Sequence, residues 1–353
     1  MKINKGQFPI SDRWRVWRFH LARGQGHLLR YLGNRLRWHF GPRLDYIGQM
    51  PDHVDLELSS ACNMRCPMCY TITEEFKERV GLLMMEAALF KRLIDECMHT
   101  GVYSVRLSLR GEPTVHPKFL ELARYAKRRI SEVSMLTNAL KLTPELFEEL
   151  VRIQFDWVTI SFDGLGETYE KIRRPAKYEE MVARIRRFKA IKARYHSRKP
   201  VIKVQSVWPA IQDDPQAFYD VFHPLVDLVA SNPLIDYLRN DPESRIEYEP
   251  RFTCPVLWQR LVVGSDGKVL LCSNDELGKI IVGDARTQTL REIWQGGPMR
   301  RARAIHLRHR GVEELQPCRE CYLPRRTVRS TATVDHRALV IENYVNRPQE
   351  IGA

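Results

Sequence analysis

Three cysteines within one short run, Cys62-Asn-Met-Arg-Cys66-Pro-Met-Cys69, carry the clearest chemistry in this 353-residue chain. Three thiolates at this spacing on one loop suit a cubane [4Fe–4S] cluster, which leaves one of its irons without a protein ligand. An open iron is a coordination site for a small molecule. A structural zinc ion asks for a fourth protein ligand, and a catalytic one for a histidine or carboxylate set. The loop contains no histidine.

A second set of thiols lies late in the chain: Cys254, Cys272, Cys318 and Cys321. The turn Ser265-Asp-Gly267 between Leu261–Val263 and Val269–Leu271 reads as a β-hairpin, with Cys254 before its entry and Cys272 at its exit. Four cysteines complete the ligand set of a [4Fe–4S] cluster or of a zinc ion, and their spacing does not separate the two. The eighth cysteine, Cys97, falls in a helical stretch where a small buried apolar residue is expected.

From about Val54 to Leu238 short extended runs alternate with helical stretches, the pattern of βα units and a parallel sheet. Strands are predicted at Val54–Ser59, Tyr103–Leu109, Val133–Thr137, Trp157–Phe162, Ile202–Val207 and Leu234–Leu238. Helices are predicted near Met84–His99, Pro117–Arg129, Pro144–Ile153, Tyr178–Tyr195 and Pro215–Val229. The expected fold is α/β, a partial and open (β/α)6 barrel followed by a small C-terminal cluster domain. The expected divisions are 1–50, 51–240, 241–328 and a tail at 329–353.

Side chains two apart on a strand share a face. One face carries Asp55, Glu57 and Ser59; the next strand carries Ser104, Arg106, Ser108 and Arg110; later strands carry Thr159, Ser161 and Asp163, then Lys203 and Gln205. Buried parallel strands are normally apolar on both faces. A polar face therefore implies a lumen that receives a polar ligand, with the site at the C-terminal strand ends. The Cys62 loop follows the first strand and so lies at that mouth.

The three-cysteine run resembles the signature of the radical S-adenosylmethionine (radical SAM) enzymes. The resemblance implies that SAM binds the open iron through its amino and carboxylate groups. The reduced cluster would cleave it to a 5′-deoxyadenosyl radical, which abstracts hydrogen from a substrate. Many members have an aromatic where this chain has Met68, which leaves Tyr70 to cover the adenine. Arg110-Gly111-Glu112-Pro113 resembles the family's Gly-Gly-Glu motif, which implies SAM contacts for Gly111 and Glu112. Thr137-Asn138 resembles residues that hold the ribose or carboxylate of SAM, against a plain turn-forming asparagine. Ser161-Phe-Asp163-Gly164 followed by Arg173-Arg174 resembles a longer family pattern in which Ser161 and Arg173 contact SAM. His116 reads as a loop residue. Asp163, Glu57 and Lys203 are the candidates for a catalytic base.

The later cysteines, with Gly283-Asp284 and Leu290-Arg-Glu-Ile-Trp294 between them, resemble the SPASM/twitch extension of radical SAM enzymes. Four thiolates there imply one auxiliary [4Fe–4S] cluster. Members similar in thiol spacing include aminocyclitol dehydrogenases. The resemblance thus implies oxidation or epimerisation of a carbohydrate-like small molecule in a biosynthetic pathway, with flavodoxin or ferredoxin as electron donor. The alternatives are a peptide-modifying enzyme or maturase and, in another class, a basic zinc-bearing protein that binds nucleic acid or membranes.

Charge is uneven. Residues 1–50 hold ten Lys/Arg against Asp12 and Asp45, contributing +8 to a formal net charge of +13. The segment interleaves these with Trp14, Trp17, Tyr31 and Trp38. The first reading is an amphipathic helix packed on the main domain with its arginines in solvent. A peripheral membrane or partner contact comes next, and nucleic acid is the least supported. No apolar run is long enough to span a membrane, and the start lacks the hydrophobic centre of a signal peptide. Eight cysteines without a secretory signal favour ligation over disulfides, so the expected setting is cytoplasmic and oxygen-sensitive.

Overall fold

The computed structural model of the chain describes residues 8–234, 246–346 and 351. Strand β1 (Phe8–Pro9) and helices α1 (Arg13–Gly24) and α2 (Leu28–Phe40) precede the βα units. These run β2 (His53–Leu56), α3 (Glu74–Arg79), α4 (Ala87–His99), β3 (Ser104–Arg106), α5 (Phe119–Lys127), β4 (Glu132–Thr137), α6 (Pro144–Arg152) and β5 (Trp157–Ser161). They continue with α7 (Gly166–Ile172), α8 (Tyr178–Arg194), β6 (Val201–Val207), α9 (Pro215–Phe222) and β7 (Leu228–Asn232). The C-terminal part contains α10 (Val256–Gln259), β8 (Arg260–Val263), β9 (Lys268–Leu270), β10 (Ile281–Asp284), α11 (Leu290–Trp294) and α12 (Gly297–Leu307). It ends with α13 (Gly311–Glu314), α14 (Gln316–Glu320), β11 (Thr327–Val334) and β12 (Arg337–Tyr344).

Strands β2 to β7 lie side by side in chain order and all pair in parallel, as a right-handed βα succession requires. The apolar face of each packs against the helices: Val54, Val105, Val133, Val158, Ile160 and Val204 are fully buried in one continuous core. Helix starts follow local chemistry. Thr143 accepts the Leu146 N–H with Pro144 at the first helical position, and Asp214 does the same for Ala217 ahead of Pro215.

The sixth parallel strand differs from expectation. Leu234–Leu238 falls outside the described residues apart from Leu234, and the strand is instead Leu228–Asn232, which begins in the last two residues of the helix expected over Pro215–Val229. That helix stops at Phe222 because Pro224, just past its cap His223, has no N–H to continue the ladder.

The expected hairpin forms with Val262 opposite Leu270 and Val263 opposite Val269. It is not a separate layer, because β8 pairs in parallel with β2 and carries β9 and β10 into the barrel sheet. The residues expected as a C-terminal tail form the antiparallel pair β11–β12, tied to α9 by the Asp335 N–H on Gln216 Oε1 at 2.7 Å.

Helices α1 and α2 close the N-terminal end of the barrel. Phe19, with Val16 and Ala22, packs on Val201, Leu228 and Trp157 at the starts of β6, β7 and β5. Arg23 is buried, forked onto Glu132 at the start of β4 at 2.8 and 3.1 Å, with its guanidinium 4.5 Å from the Trp157 ring centre. This arginine is a structural plug and not the solvated charge expected of the segment.

Candidate cofactor site

Beyond β2 the chain turns at the mouth of the barrel into the Cys62 loop, where the Cys69 N–H donates to Cys66 O at 3.0 Å. All eight cysteines are free thiols. Burial pushes the three loop thiols up, Cys69 to about 11. N–H donors converge on the sulfurs: Asn138 Nδ2 lies 3.6 Å from Cys62 Sγ, and Arg173 Nη1 lies 3.8 Å from Cys66 Sγ. Such donors suit thiolates that carry negative charge onto a cluster.

Glu112, at the end of the β3 unit, is buried beside this loop. Its Oε1 accepts from Thr114 N, Thr114 Oγ1 and Thr137 Oγ1 at 3.1, 2.6 and 2.6 Å, and its Oε2 from Asn138 N at 2.7 Å. Burial raises its pKa, and these bonds offset part of the rise. Glu112 thus binds the end of β4 to the mouth and sets Asn138, whose amide also donates to Asn63 Oδ1 at 2.8 Å.

Gly111 has a steric reason of its own. A Cβ there would lie 2.4 Å from Ala61 O and 2.5 Å from the Ser60 carbonyl carbon, so only glycine lets the two loops touch.

On the opposite wall Arg173 follows α7. Its Nε donates to Asp163 Oδ2 at 2.6 Å, and Asp163 Oδ1 accepts the Val207 N–H at 2.8 Å. Burial opposes the arginine's charge, but Asp163 outweighs it and raises the pKa further. Arg174 is exposed and only its carbonyl reaches the loop, accepting from Arg65 N. Arg173 is therefore the arginine at the mouth, and Asp163 is its holder. Ser161 ends β5 opposite Gln205.

Glu57 is likewise committed. Its carboxylate pairs with the Arg110 guanidinium, and its Oε2 accepts from Ser265 N at 2.9 Å and Ser265 Oγ at 3.1 Å. Tyr70 packs edge-on against Phe76 at 5.5 Å between rings, and burial, with the charge of Glu276 adding to it, raises its pKa well above the usual phenol range. His116 is a buried loop residue bonded to Met85 O and Lys118 N.

Lower in the lumen Asp55 is fully buried. Burial works against its charge, yet Arg106, Arg260 and His53 surround it and hold it well below the carboxylate range. Lys203 stands apart. Its Nζ donates to Gln205 Oε1 at 2.8 Å, and among the described residues no carboxylate pairs with it. Burial, with Arg23 and Arg106 adding repulsion, lowers it to about 7.

The four later cysteines also gather. Each thiol is raised by burial, Cys254 to about 12, and Cys272 feels the charges of Cys254, Cys321 and Cys318. Among the described residues no three His, Cys, Asp or Glu groups close around a single ion. Two partners of these sulfurs were missed from sequence. Asn274 Nδ2 donates to Cys321 Sγ at 3.1 Å. His306 is buried and accepts the Cys254 N–H on Nδ1 at 3.4 Å, which leaves its Nε2–H to donate to Cys318 Sγ at 3.4 Å. Burial lowers His306 to about 4, so the ring is neutral. No ligand spacing marks it in the sequence.

Residues 56–201 match the radical SAM superfamily and residues 254–322 match an iron–sulfur cluster-binding domain, SPASM. The chain carries a radical SAM domain followed by a SPASM domain. The two domains imply SAM and two [4Fe–4S] clusters as cofactors, and the two cysteine sets lie within the two matched stretches. The radical SAM assignment removes the reading as a zinc-bearing binding protein.

Among relatives, the tungsten-containing aldehyde ferredoxin oxidoreductase cofactor-modifying protein of Pyrococcus furiosus is 32% identical over 145 residues, 37% of this chain and 40% of that protein. The mycofactocin maturase MftC of Mycobacterium tuberculosis is 34% identical over 127 residues, 36% of this chain and 31% of the maturase. The chain thus matches less than half the length of these relatives. Among solved structures, BtrN in complex with AdoMet and 2-DOIA superposes with a TM-score of 0.54 at 18% identity, covering 77% of this chain and 93% of BtrN. Streptococcus suis SuiB gives 0.54 at 14% identity, covering 78% and 72%. At these identities the radical SAM fold is what is shared. Among the described residues no helix is long and apolar enough to cross a membrane.

Proposed function

We propose that this radical SAM protein oxidises a carbohydrate-like small molecule at a carbon bearing a hydroxyl, as a step of a biosynthetic pathway, with a flavodoxin or ferredoxin as its reductant. The observation that carries the reading is Lys203, a lumen amine with no described carboxylate partner and a pKa of about 7. Oxidation needs a group that accepts a proton near neutral pH, and of the three base candidates Glu57 and Asp163 are already held by arginines.

In this reading Cys62, Cys66 and Cys69 hold the first cluster, and Cys254, Cys272, Cys318 and Cys321 the second. When bound, the cofactors supply hydrogen-atom abstraction from an unactivated C–H bond and an electron acceptor for the resulting radical. Glu112, Asn138, Ser161 and Arg173 line the SAM position. Glu112 fixes Asn138, and Asp163 fixes Arg173, so both donors reach the site already oriented. Tyr70 covers the adenine of SAM. Neutral Lys203 takes the hydroxyl proton, with Gln205 holding its amine in place. Cys97 is buried on α4 in the core, so it does not serve as a hydrogen donor.

A peptide-modifying maturase is the second reading, favoured by the match to the mycofactocin maturase and by the fold shared with SuiB, which is known bound to precursor peptide SuiA.

The test uses anaerobically reconstituted protein, SAM, a reductant and sugars or aminocyclitols deuterated at the carbinol carbon. The expected outcome is deuterium in 5′-deoxyadenosine and a ketone product free of solvent deuterium, with Cys97→Ala still active. Solvent deuterium at the reacting carbon would make the protein an epimerase, and a modified peptide would make it a maturase.

A further inference from the structure

The helices that plug the bottom of the barrel have a second face. Of the nineteen exposed large apolar side chains among the described residues, ten lie between Trp14 and Tyr46. On α1 they are Trp14, Trp17 and Leu21, spaced three and four apart and therefore on one side of the helix. On α2, Leu29, Leu32 and Leu36 repeat that spacing. The exposure is large: 85% for Leu29 and 61% for Trp14, whose ring stacks on Trp17 at 4.7 Å. The inner faces of the same helices are fully used by Phe19, Arg23, Tyr31 and Asn34, so the outer stripes have nothing left to cover within the described residues.

Charge identifies the occupant. Arg13, Arg18, Arg30 and Arg43 are exposed around the stripes, and no described acid pairs with them. The first fifty residues carry only Asp12 and Asp45 as acids, for a net +8. A second copy of so basic a surface would repel this one. Paired tryptophans, leucines and a rim of arginines suit the boundary between acyl chains and acidic headgroups.

Orientation agrees with this. The contacts of α1, α2 and the turn between them run to Glu132, Asp52, Tyr103, Lys199 and His223, all at the N-terminal ends of the strands or just before them. The Cys62 loop leaves the C-terminal end of β2. Docking through α1 and α2 therefore keeps the cofactor mouth turned to water.

We propose that the outer faces of α1 and α2 dock this protein on an anionic lipid bilayer. The proposal is independent of the reaction catalysed.

The test is flotation of the reconstituted full chain with vesicles of phosphatidylcholine alone and of phosphatidylcholine with phosphatidylglycerol. The protein should float with the anionic vesicles, poorly with the neutral ones, and less as salt rises. A variant carrying Trp14→Ser, Trp17→Ser, Leu29→Ser and Leu32→Ser should lose about tenfold or more of the partitioning. Its unchanged iron content and visible absorbance would establish that it is folded. Arg18→Glu with Arg30→Glu tests the charge separately and should abolish the preference for anionic vesicles. Failure to float with anionic vesicles at low salt would overturn the proposal. So would flotation that neither variant changes, or a dimer in light scattering that the four-residue variant dissolves.

Discussion

Arg110 and Glu57 form a buried ion pair that joins the barrel to the C-terminal cluster domain. Arg110 stands where the family's motif has its first glycine. Its guanidinium holds Glu57 and also donates through Nη1 to Glu276 O at 3.2 Å, while Glu57 accepts both polar groups of Ser265 from the β8–β9 turn. Glu276 lies four residues after Cys272, so the pair ties the end of the β3 unit to the chain that follows Cys272. Arg110→Ala leaves a buried carboxylate without its cation and should destabilise the protein by about 3–5 kcal/mol. Combining Arg110→Met with Glu57→Gln should cost less than the sum of the single changes. Additive losses in denaturant melts would show that the two residues act separately.

Replacing Cys62, Cys66 and Cys69 by Ala should leave about half of the iron after reconstitution, held by the four later cysteines, and abolish SAM cleavage. Iron analysis and 5′-deoxyadenosine formation measure the two effects. Cleavage that survives the triple change would end the assignment of the open iron to this loop. Arg173→Ala, by contrast, should keep the iron and weaken SAM binding, by on the order of 1.5–3 kcal/mol for a lost charged hydrogen bond.

Lys203 gives a pH signature. Its folded pKa of about 7 lies below its ordinary 10.5, so between those values the unfolded chain binds the additional proton. The folding penalty of charging the buried amine is fully felt below about pH 7 and fades as pH rises toward about 10.5. Lys203→Met in the protein free of SAM and substrate should therefore be more stable than wild type near pH 6, with the difference shrinking toward about pH 10. In turnover, the rise in rate through about pH 7 should disappear in the same variant. A stability difference that does not change with pH would show that the amine is solvated.

Gly311 and His306 test the support of the second cysteine set. A Cβ on Gly311 would lie 2.1 Å from the His306 ring, so Gly311→Ala must push the imidazole away from Cys318. The change should cost about 1–3 kcal/mol of stability. It should also shift the second cluster to lower potential, because an N–H donor to a cluster sulfur favours the reduced, more negative state. His306→Phe should shift the potential in the same direction. A redox titration followed by electron paramagnetic resonance reads both, and an unmoved potential would leave His306 a packing residue only.

The amino-acid sequence alone determined the two thiol sets, the βα alternation, the polar parity of the strands and the Ser265–Gly267 hairpin. Each of these depends on neighbours a few positions apart, and spacing and periodicity record such relations directly. Tertiary structure decided what pairs across the chain. It buried Arg173 at the mouth and left Arg174 exposed, paired Glu57 and Asp163 with arginines, and left Lys203 without a described carboxylate. It brought His306 under Cys318 from a helix with no ligand motif. It also ended the Pro215 helix early and made Leu228–Asn232 the sixth strand, because a short apolar run such as Leu228-Val-Ala230 suits either element until its neighbours are in place. Residues 1–50 show both contributions. Their charge and aromatic pattern are legible as written, but which face is buried followed only once Phe19 and Arg23 had a barrel end to fill, since burial is a property of the partner surface as much as of the helix.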